Sequence, residues 1–337
     1  MSVMDEAGVM PTRFEPAGGS TVGEACLQAA AYLSEHGIDE GRANAERLLL
    51  HLLELEPAGM LRDWRDPFPA GRLAEWGELV TRKAAGEPVQ YITGEQWFYG
   101  LPFKVTPAVL IPRPETELLV EAVLAAADRL WPGAAGPEPG PGLPAPTVVD
   151  IGTGSGAIAV TLAAQRPGWR VCASDLSEEA LTVARLNAAR HGVSARMAFA
   201  HGDLLEPYAA PPADEDGDQA ADGAAWQQSE APGLRIDVLV SNPPYIPVAD
   251  IDGLQLEVRD HEPRLALDGG EDGLAPYRRM LAQVPRLAAP PAIVAFELGQ
   301  GQAQAVARML REAGHWDEIR IIKDYAGIER HVLGART

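Results

Sequence analysis

From Thr147 onward, short apolar runs alternate with segments whose apolar residues recur every three to four positions. The runs are typical of buried strands and the spaced segments of amphipathic helices. The alternation predicts an α/β domain built on a doubly wound, mostly parallel sheet of seven strands. The predicted strands are 148–151, 170–174, 195–200, 236–240, 292–297, 318–322 and 331–333, and the predicted helices are 157–165, 178–191, 275–288 and 302–313.

In the first part of the chain, before residue 86, the apolar residues recur only at the spacing of amphipathic helices. Thr21-Val22-Gly23-Glu24 has the spacing of a capping box, and helical patterns follow it as far as Ala85. We therefore predict a small N-terminal helical bundle at residues 20–86, and residues 1–20 look disordered because they are rich in small residues, Gly and Pro.

Residues 87–112 are rich in aromatic and β-branched residues and are broken by Gly94 and Gly100. This composition predicts a β-hairpin linker that includes a strand at Val89–Ile92. The aromatic residues of the linker either pack between the domains or form one wall of a pocket, and the sequence leaves both open.

A helix is predicted to open at Pro114, and residues 113–337 are predicted to form one domain with two inserts. Residues 132–146 are rich in Pro and Gly, and residues 207–232 carry six acidic residues and no Lys or Arg. Both inserts are predicted to be disordered, and the acidic one is not expected to take part in the chemistry.

The formal net charge of −20 makes nucleic acid a poor partner for the surface as a whole. No apolar run has the length of a membrane span, and the N-terminus lacks the features of a signal peptide. Cys26 and Cys172 are the only cysteines and the histidines form no ligand-spaced cluster, so no disulfide or metal site is expected. We therefore expect a cytoplasmic protein without direct nucleic-acid or membrane partners.

The most informative turn follows the first predicted strand of the sheet and opens a helix. Its residues Gly152, Thr153, Gly154, Ser155 and Gly156 allow close approach of the backbone to a ligand, and they also satisfy a loose dinucleotide fingerprint. Asp150 just before the turn would repel a pyrophosphate and attract a cationic ligand. S-adenosylmethionine is such a ligand, since it carries an ammonium and a sulfonium.

The next two predicted strands also end in acidic residues. Asp175 stands where a carboxylate can bind two ribose hydroxyls, and Asp203 and Leu204 stand where an adenine would lie. Alternatively, Asp175 is only a helix cap and Asp203 a turn residue. Three acidic strand ends in succession favour the cofactor-binding interpretation.

The fourth predicted strand is followed by Asn242-Pro243-Pro244-Tyr245. The two prolines end the strand and turn the chain out at the carboxyl end of the sheet, where open α/β sheets bind ligands. The Asn242 side chain and the Pro243 carbonyl are two acceptors and Tyr245 is a stacking surface, a set that suits a planar amide or amino group. A proline-rich turn with a buried tyrosine is the alternative.

The chain from about residue 20 to the end resembles the release factor glutamine methyltransferases, a family of seven-stranded S-adenosylmethionine-dependent methyltransferases. The resemblance rests on the cofactor motifs, on Asn242–Tyr245, and on Pro88–Gly94, Leu110–Glu117, Glu262–Leu274 and Glu297–Gly299 with Gln302. The sequence departs from the family in its two inserts and in Leu204, where some members carry an aromatic residue.

The resemblance implies transfer of a methyl group to the side-chain nitrogen of the glutamine in the Gly-Gly-Gln motif of class-1 peptide chain release factors. It assigns substrate binding to Asn242, Pro243, Pro244 and Tyr245, catalysis to Asn242 and Pro243, and a cofactor contact to Asn242 as well. It makes residues 20–86 a substrate-recognition domain. Methylation of a ribosomal-protein glutamine or of adenine N6 in nucleic acid are the alternatives, and an intact cofactor loop disfavours a non-enzymatic binding module.

Overall fold

The computed structural model describes residues 13–133, 136, 145–209 and 233–336. The chain divides into two compact units: one contains the residues up to Glu95 together with Gln255–His261, and the other contains Gln96–Leu254 and the residues from Glu262 onward. Most of the two predicted inserts lies outside the described residues. Within the described ranges, no helix is long and apolar enough to cross a membrane.

The first unit is a helical bundle. Its first helix begins at the predicted capping box. The Thr21 hydroxyl accepts from the Glu24 N–H, and the Glu24 carboxylate accepts from the Thr21 N–H. Buried leucines from three helices share one hydrophobic core with Trp76, which is fully buried. The helices are α1 (Val22–Glu35), α2 (Gly41–Leu53), α3 (Pro57–Asp63), α4 (Leu73–Ala84) and α5 (Val89–Thr93).

The strand predicted at Val89–Ile92 is wrong, since these residues form helix α5. Pro88 precedes the helix with a fixed φ, and Gly94 ends it in the left-handed conformation. Val89 and Ile92 lie three residues apart and are both buried in the core of the bundle. Their burial on one helical face outweighs the β propensity of branched side chains.

The predicted hairpin is present but shorter than the segment assigned to it. Strand β1 (Glu95–Phe98) and strand β2 (Leu101–Lys104) are joined by Tyr99 and Gly100, both at positive φ. Phe98 and Phe103 are buried in the core of the second unit, which favours packing over a pocket wall for these two aromatic rings. Trp97 is exposed.

The second unit is the predicted seven-stranded sheet with helices on both faces. Its first three helices along the chain are α6 (Pro114–Leu130), which precedes the sheet, and α7 (Ala157–Gln165) and α8 (Glu178–Arg190), which lie between its first strands. Its strands are β3 (Thr147–Ile151), β4 (Arg170–Asp175), β5 (Met197–His201), β6 (Val238–Ser241), β7 (Ile293–Glu297), β8 (Glu318–Lys323) and β9 (Glu329–Ala335). The later helices are α9 (Leu256–His261), α10 (Ala275–Gln283) and α11 (Ala303–Ala313), of which α9 belongs to the first unit.

The strand order is β5-β4-β3-β6-β7-β9-β8. The first five strands in this order are parallel, and β9 is antiparallel to both of its neighbours. The chain leaves β3 toward β4 and later returns on the other side as β6. The carboxyl ends of β3 and β6 therefore flank the topological switch point, where such sheets bind ligands.

The two faces of the sheet have separate cores, because side chains alternate along each strand. Val148 packs with helices α6 and α7, whereas Val149 packs with α10 and α11. The second insert was predicted to begin at residue 207, but Glu206–Tyr208 forms a short 3-10 helix and Tyr208 is buried in the second of these cores. Tyr208 and Ala209 are both buried, so the disorder predicted for the start of this insert is wrong.

Helix α9 joins the first unit through contacts that the sequence pattern does not indicate. The Glu257 carboxylate pairs with the ammonium of Lys83, which is fully buried. A Cβ on Gly86 would lie 2.1 Å from Leu256, so the two segments are in close contact. A short piece of chain far along the sequence is thereby part of the helical bundle.

Candidate active site

A cavity of about 580 Å³ lies at the carboxyl edge of the sheet, at the ends of β3, β4, β5 and β6. This volume is in the range of small-molecule sites. Most of the site residues predicted from the sequence line it: Gly152, Thr153, Gly154, Ser155, Asp175, Asp203, Leu204, Asn242 and Pro244. Gly156, Pro243 and Tyr245 do not belong to the lining, and their places are described below.

The glycine turn is held open toward the cavity. Gly152 and Gly154 have φ values of +68° and +55°, and a Cβ on either would meet no atom within 4 Å. Gly156 caps α7 with φ +81°, and a Cβ there would lie 3.2 Å from Ala184. The first two glycines therefore leave room for a ligand, whereas the third allows close packing of helices.

Asp150 lies beneath the glycine turn and has no exposed surface. Its Oδ2 accepts from the Thr153 hydroxyl at 2.6 Å and from the Ala159 N–H at 3.3 Å. Burial raises the pKa of this carboxyl to about 7. Asp150 thus fixes the turn from below, and the sequence interpretation of a carboxylate that attracts a cationic ligand directly is not supported by its placement.

Asp175 ends β4 and lines the cavity. Its Oδ2 accepts from the Gly154 N–H at 2.8 Å and its Oδ1 from the Ser177 N–H at 2.9 Å. Burial raises the pKa of this carboxyl, and these backbone donors oppose the shift. Each oxygen keeps acceptor capacity for a ligand hydroxyl, because a carboxylate has about four lone-pair sites.

Asp203 and Leu204 line the cavity beyond β5. The Asp203 carboxylate pairs with Arg279 from α10, which also lines the cavity and was not anticipated. Leu204 has a φ of +53°, a conformation that is costly for a residue with a Cβ. A ligand at this end would meet an ion pair and an aliphatic side chain.

Asn242 follows β6 directly and lines the cavity opposite the glycine turn across the switch point. Its Nδ2 donates to the Thr116 hydroxyl of α6 at 3.2 Å, and that hydroxyl donates to the Glu297 carboxylate at 2.6 Å. Thr116 and Glu297 are almost completely buried. The amide nitrogen of Asn242 is therefore engaged with the protein.

Pro243 is buried and Tyr245 is partly buried beside the cavity. The Tyr245 ring contacts Gly299, where a Cβ would come within 3.2 Å of it. Burial raises the pKa of the Tyr245 phenol to about 12, so the phenol keeps its proton at neutral pH.

The backbone of the Asn242–Tyr245 turn rests on distant segments. Gln302 donates to the Tyr245 carbonyl at 2.9 Å and accepts from the Gly299 N–H at 2.9 Å. A Cβ on Gly273 would lie 2.3 Å from the Tyr245 carbonyl oxygen, and one on Gly269 would lie 2.8 Å from the Tyr245 backbone. Only glycine fits at these two positions without displacing the turn.

Five residues that surround the predicted site were assigned no individual role from the sequence: Thr116, Gly269, Gly273, Glu297 and Gln302. They lie within the stretches on which the family resemblance rests. That resemblance was the only signal, because hydrogen bonds between residues so distant along the chain leave no local pattern.

A seven-stranded sheet with an antiparallel last strand and a glycine turn after its first strand along the chain is the architecture of the Rossmann-like methyltransferases. The family model described as a methyltransferase domain matches residues 148–220, and the model described as the PrmC N-terminal domain matches residues 24–94. The chain is a methyltransferase of this class.

Curated relatives resolve the class further. Three proteins named release factor glutamine methyltransferase match almost the whole chain. The one from Moorella thermoacetica is 40% identical over 316 residues, covering 94% of this chain and 99% of the relative. Those from Geobacter sulfurreducens and Bacillus cereus are 42% and 38% identical, covering 90% and 92% of this chain and 93% and 97% of the relatives. The chain belongs to the release factor glutamine methyltransferase family.

Proposed function

We propose that this enzyme transfers a methyl group from S-adenosylmethionine to the side-chain amide nitrogen of the glutamine in the Gly-Gly-Gln motif of class-1 peptide chain release factors. The observation that carries the proposal is the position of Asn242. Its side chain lines the same cavity as the glycine turn and Asp175, so an amide bound at Asn242 lies next to a ligand bound at the turn.

The cavity residues fit S-adenosylmethionine. The backbone at Gly152 and Gly154 leaves the space that a side chain would fill, and Asp175 offers charged acceptors for a ribose. Asp203 and Leu204 stand at the end of the cavity where the base would lie, and Thr153, Ser155 and Asn242 complete the set. Bound there, this cofactor supplies an electrophilic methyl group on a sulfonium.

The chain's own contribution to the reaction is positioning. An amide nitrogen is a weak nucleophile because its lone pair is delocalised. Asn242 Oδ1 and the Pro243 carbonyl would each accept one hydrogen of the glutamine NH₂ and so hold the nitrogen toward the methyl group. Pro244 and Tyr245 would lie against the plane of the substrate amide. Positioning of this kind can contribute roughly 7–11 kcal/mol to catalysis.

The same two acceptors stabilise the transition state selectively, since they bind the nitrogen more strongly as it becomes positive. A strong base is not required before transfer, and the proton leaves to water afterwards. Tyr245 does not act as that base at neutral pH, because its phenol remains protonated.

Recognition of the protein substrate is proposed to involve the helical bundle, with residues 20–86 as the recognition domain and 113–337 as the catalytic domain. Specific protein interfaces bury about 1,200–2,000 Å², far more than one glutamine supplies. Deleting residues 1–85 is expected to preserve cofactor binding and to lower kcat/KM for intact release factor more than for a short Gly-Gly-Gln peptide. Equal losses with both substrates would remove the bundle from recognition.

The direct test offers labelled S-adenosylmethionine with a class-1 release factor, a ribosomal-protein substrate and duplex DNA side by side. We expect label only in the release factor, and none in a release factor whose motif glutamine is replaced by alanine. Label in the ribosomal protein or the DNA, with none in the release factor, would overturn the assignment. The charge of −20 already disfavours the nucleic acid.

A further inference from the structure

A line of buried polar side chains runs from Asn242 into the interior of the second unit. Asn242 Nδ2 donates to Thr116 Oγ1 at 3.2 Å, and Thr116 Oγ1 donates to Glu297 Oε2 at 2.6 Å. Glu297 Oε2 lies 3.7 Å from Nε2 of His331. Thr116, Glu297 and His331 are 4%, 2% and 0% exposed, so water does not compete for these hydrogen bonds.

The sheet register brings these residues together. Ser241 pairs with Phe296 across β6 and β7, so the next residues along the two strands, Asn242 and Glu297, are neighbours. Glu297 in turn pairs with His331 of β9. Thr116 reaches the pair from the first turn of α6.

The protons available along this line determine which way the Asn242 amide faces. A carboxylate only accepts hydrogen bonds, so the single proton of the Thr116 hydroxyl is committed to Glu297. Toward Asn242 that hydroxyl then presents only lone pairs. Only the NH₂ group of Asn242 can satisfy it, and the oxygen Oδ1 must take the opposite side of the amide plane.

We propose that Thr116 and Glu297 are positioning residues that hold the Asn242 amide with Oδ1 available to the substrate amide. The inference rests on the proposed function, in which Oδ1 accepts from the glutamine NH₂. Rotation of the Asn242 amide by half a turn would place a donor against that NH₂, so the enzyme needs a fixed orientation and not merely an asparagine. A buried carboxylate is costly unless it is hydrogen-bonded, and this one is bonded to the residue that orients Asn242.

The primary experiment compares Thr116→Val, Thr116→Ser and Thr161→Val. Thr161 is a matched control, because it is also fully buried in a helix of this unit and its hydroxyl has no hydrogen-bond partner among the described residues. Thr116→Val is expected to lower kcat about 10- to 100-fold, as loss of a group that orients a functional side chain does elsewhere. Thr116→Ser is expected to recover most of the rate, and Thr161→Val to leave it unchanged.

Glu297→Gln tests whether the hydroxyl proton of Thr116 must bond to residue 297 for Asn242 to keep its orientation. A glutamine amide at 297 can donate to the Thr116 hydroxyl, which frees the hydroxyl proton to bond Asn242 Oδ1 and reverses the amide. We expect a fall in kcat similar to that of Thr116→Val, with an unchanged dissociation constant for S-adenosylmethionine measured by calorimetry. The two changes together should cost no more than one alone, because they break the same line.

A spectroscopic readout keeps the test independent of turnover. The chain has three asparagines, Asn44, Asn187 and Asn242, so protein labelled with ¹⁵N-asparagine gives few side-chain amide signals to assign. Thr116→Val should shift the Asn242 amide signals and leave those of the other two in place, whereas Thr161→Val should shift none. The Asn242→Ala variant identifies the signals.

Wild-type kcat in Thr116→Val, equal loss in Thr116→Ser, or unmoved Asn242 amide signals would overturn the proposal. Failure of the proposed function has a different signature. In that case the wild-type enzyme would transfer no methyl group to release factor, while the amide signals would still report whether Thr116 orients Asn242.

Discussion

The two sides of the cavity are built in different ways. The cofactor side, which we define as the glycine turn 152–156 with Asp175, is held by groups from neighbouring strands and loops. Asp150 supports it from below, and the Ser174 carbonyl accepts from the N–H groups of Gly152 and Thr153 at 2.9 and 3.0 Å. All of these contacts lie within one strand–helix–strand unit.

The acceptor side, which we define as Asn242–Tyr245, is held from far along the chain. Thr116 fixes the Asn242 amide, and Gln302 and Gly273 hold the Tyr245 backbone. The turn proposed to bind the substrate amide therefore depends on contacts from distant parts of the second unit, whereas the contacts of the cofactor side are largely local. Substitutions on the cofactor side should consequently alter the affinity for S-adenosylmethionine, and substitutions on the acceptor side should alter kcat.

The largest effect is expected on the acceptor side. Asn242→Ala should lower kcat about 10²–10³-fold, because one preorganised acceptor of the substrate amide is lost. Asn242→Asp should be as poor, since a carboxylate cannot donate to Thr116, whose only proton already bonds Glu297. Single-turnover methyl transfer measures both, and an aspartate variant clearly more active than the alanine variant would show that acceptance alone suffices.

Gly273→Ala tests whether the distant support matters. Its Cβ would lie 2.3 Å from the Tyr245 carbonyl oxygen, and its φ of +72° adds strain. Misplacement of a catalytic turn by about 1 Å can cost 10²-fold in rate, and we expect a fall in kcat of about that size without loss of cofactor affinity. Gly192→Ala is the control, because Gly192 has φ +67° and open space around it. Equal effects of the two would assign the loss to backbone strain in general.

Asp175→Ala tests the cofactor side. Loss of a charged hydrogen-bond acceptor costs roughly 1.5–3 kcal/mol, which corresponds to a dissociation constant for S-adenosylmethionine about 10- to 150-fold larger. At saturating cofactor, kcat should stay near the wild-type value. A variant that folds normally and binds the cofactor with unchanged affinity would remove Asp175 from the site.

The last effect concerns stability and its dependence on pH, not turnover. Burial raises the pKa of Asp150 to about 7, so between about pH 4 and pH 7 the unfolded chain has lost a proton that the folded protein retains. The contribution of Asp150 to the free energy of unfolding should therefore fall as pH rises through this window, by at most roughly 1.4 kcal/mol per pH unit, and level off above it.

Denaturant unfolding of ligand-free wild type and Asp150→Asn across this range checks the prediction. The stability difference in favour of the asparagine variant should grow with pH and become constant above about pH 7. A constant difference throughout would mean that Asp150 titrates at its ordinary pKa in the folded protein.

The same contrast explains what could be predicted from the sequence. The glycine turn and Asp175 could be predicted to lie together because strand, turn and helix follow one another in the chain, and the capping box at Thr21 was confirmed for the same reason. The role of Asn242 was predicted from its own tetrapeptide and stays a prediction.

The partners of Asn242 were not identified, because Thr116 and Glu297 meet it only through the sheet register and the packing of α6. The strand predicted at Val89–Ile92 was wrong for the same reason, since contacts with distant parts of the chain decide its structure. Its branched side chains favour a strand locally, and burial in the bundle makes the segment helical.

The most direct test of the account is a calorimetric titration of S-adenosylmethionine into wild type, Asp175→Ala, Asn242→Ala and the double variant. Asn242 contributes at most one neutral contact to the cofactor, so we expect Asn242→Ala to bind within about threefold of wild type, a difference below 1 kcal/mol, and the double variant to bind within about threefold of Asp175→Ala alone. Loss of affinity in Asn242→Ala as large as in Asp175→Ala would contradict the division of the cavity into a cofactor side and an acceptor side.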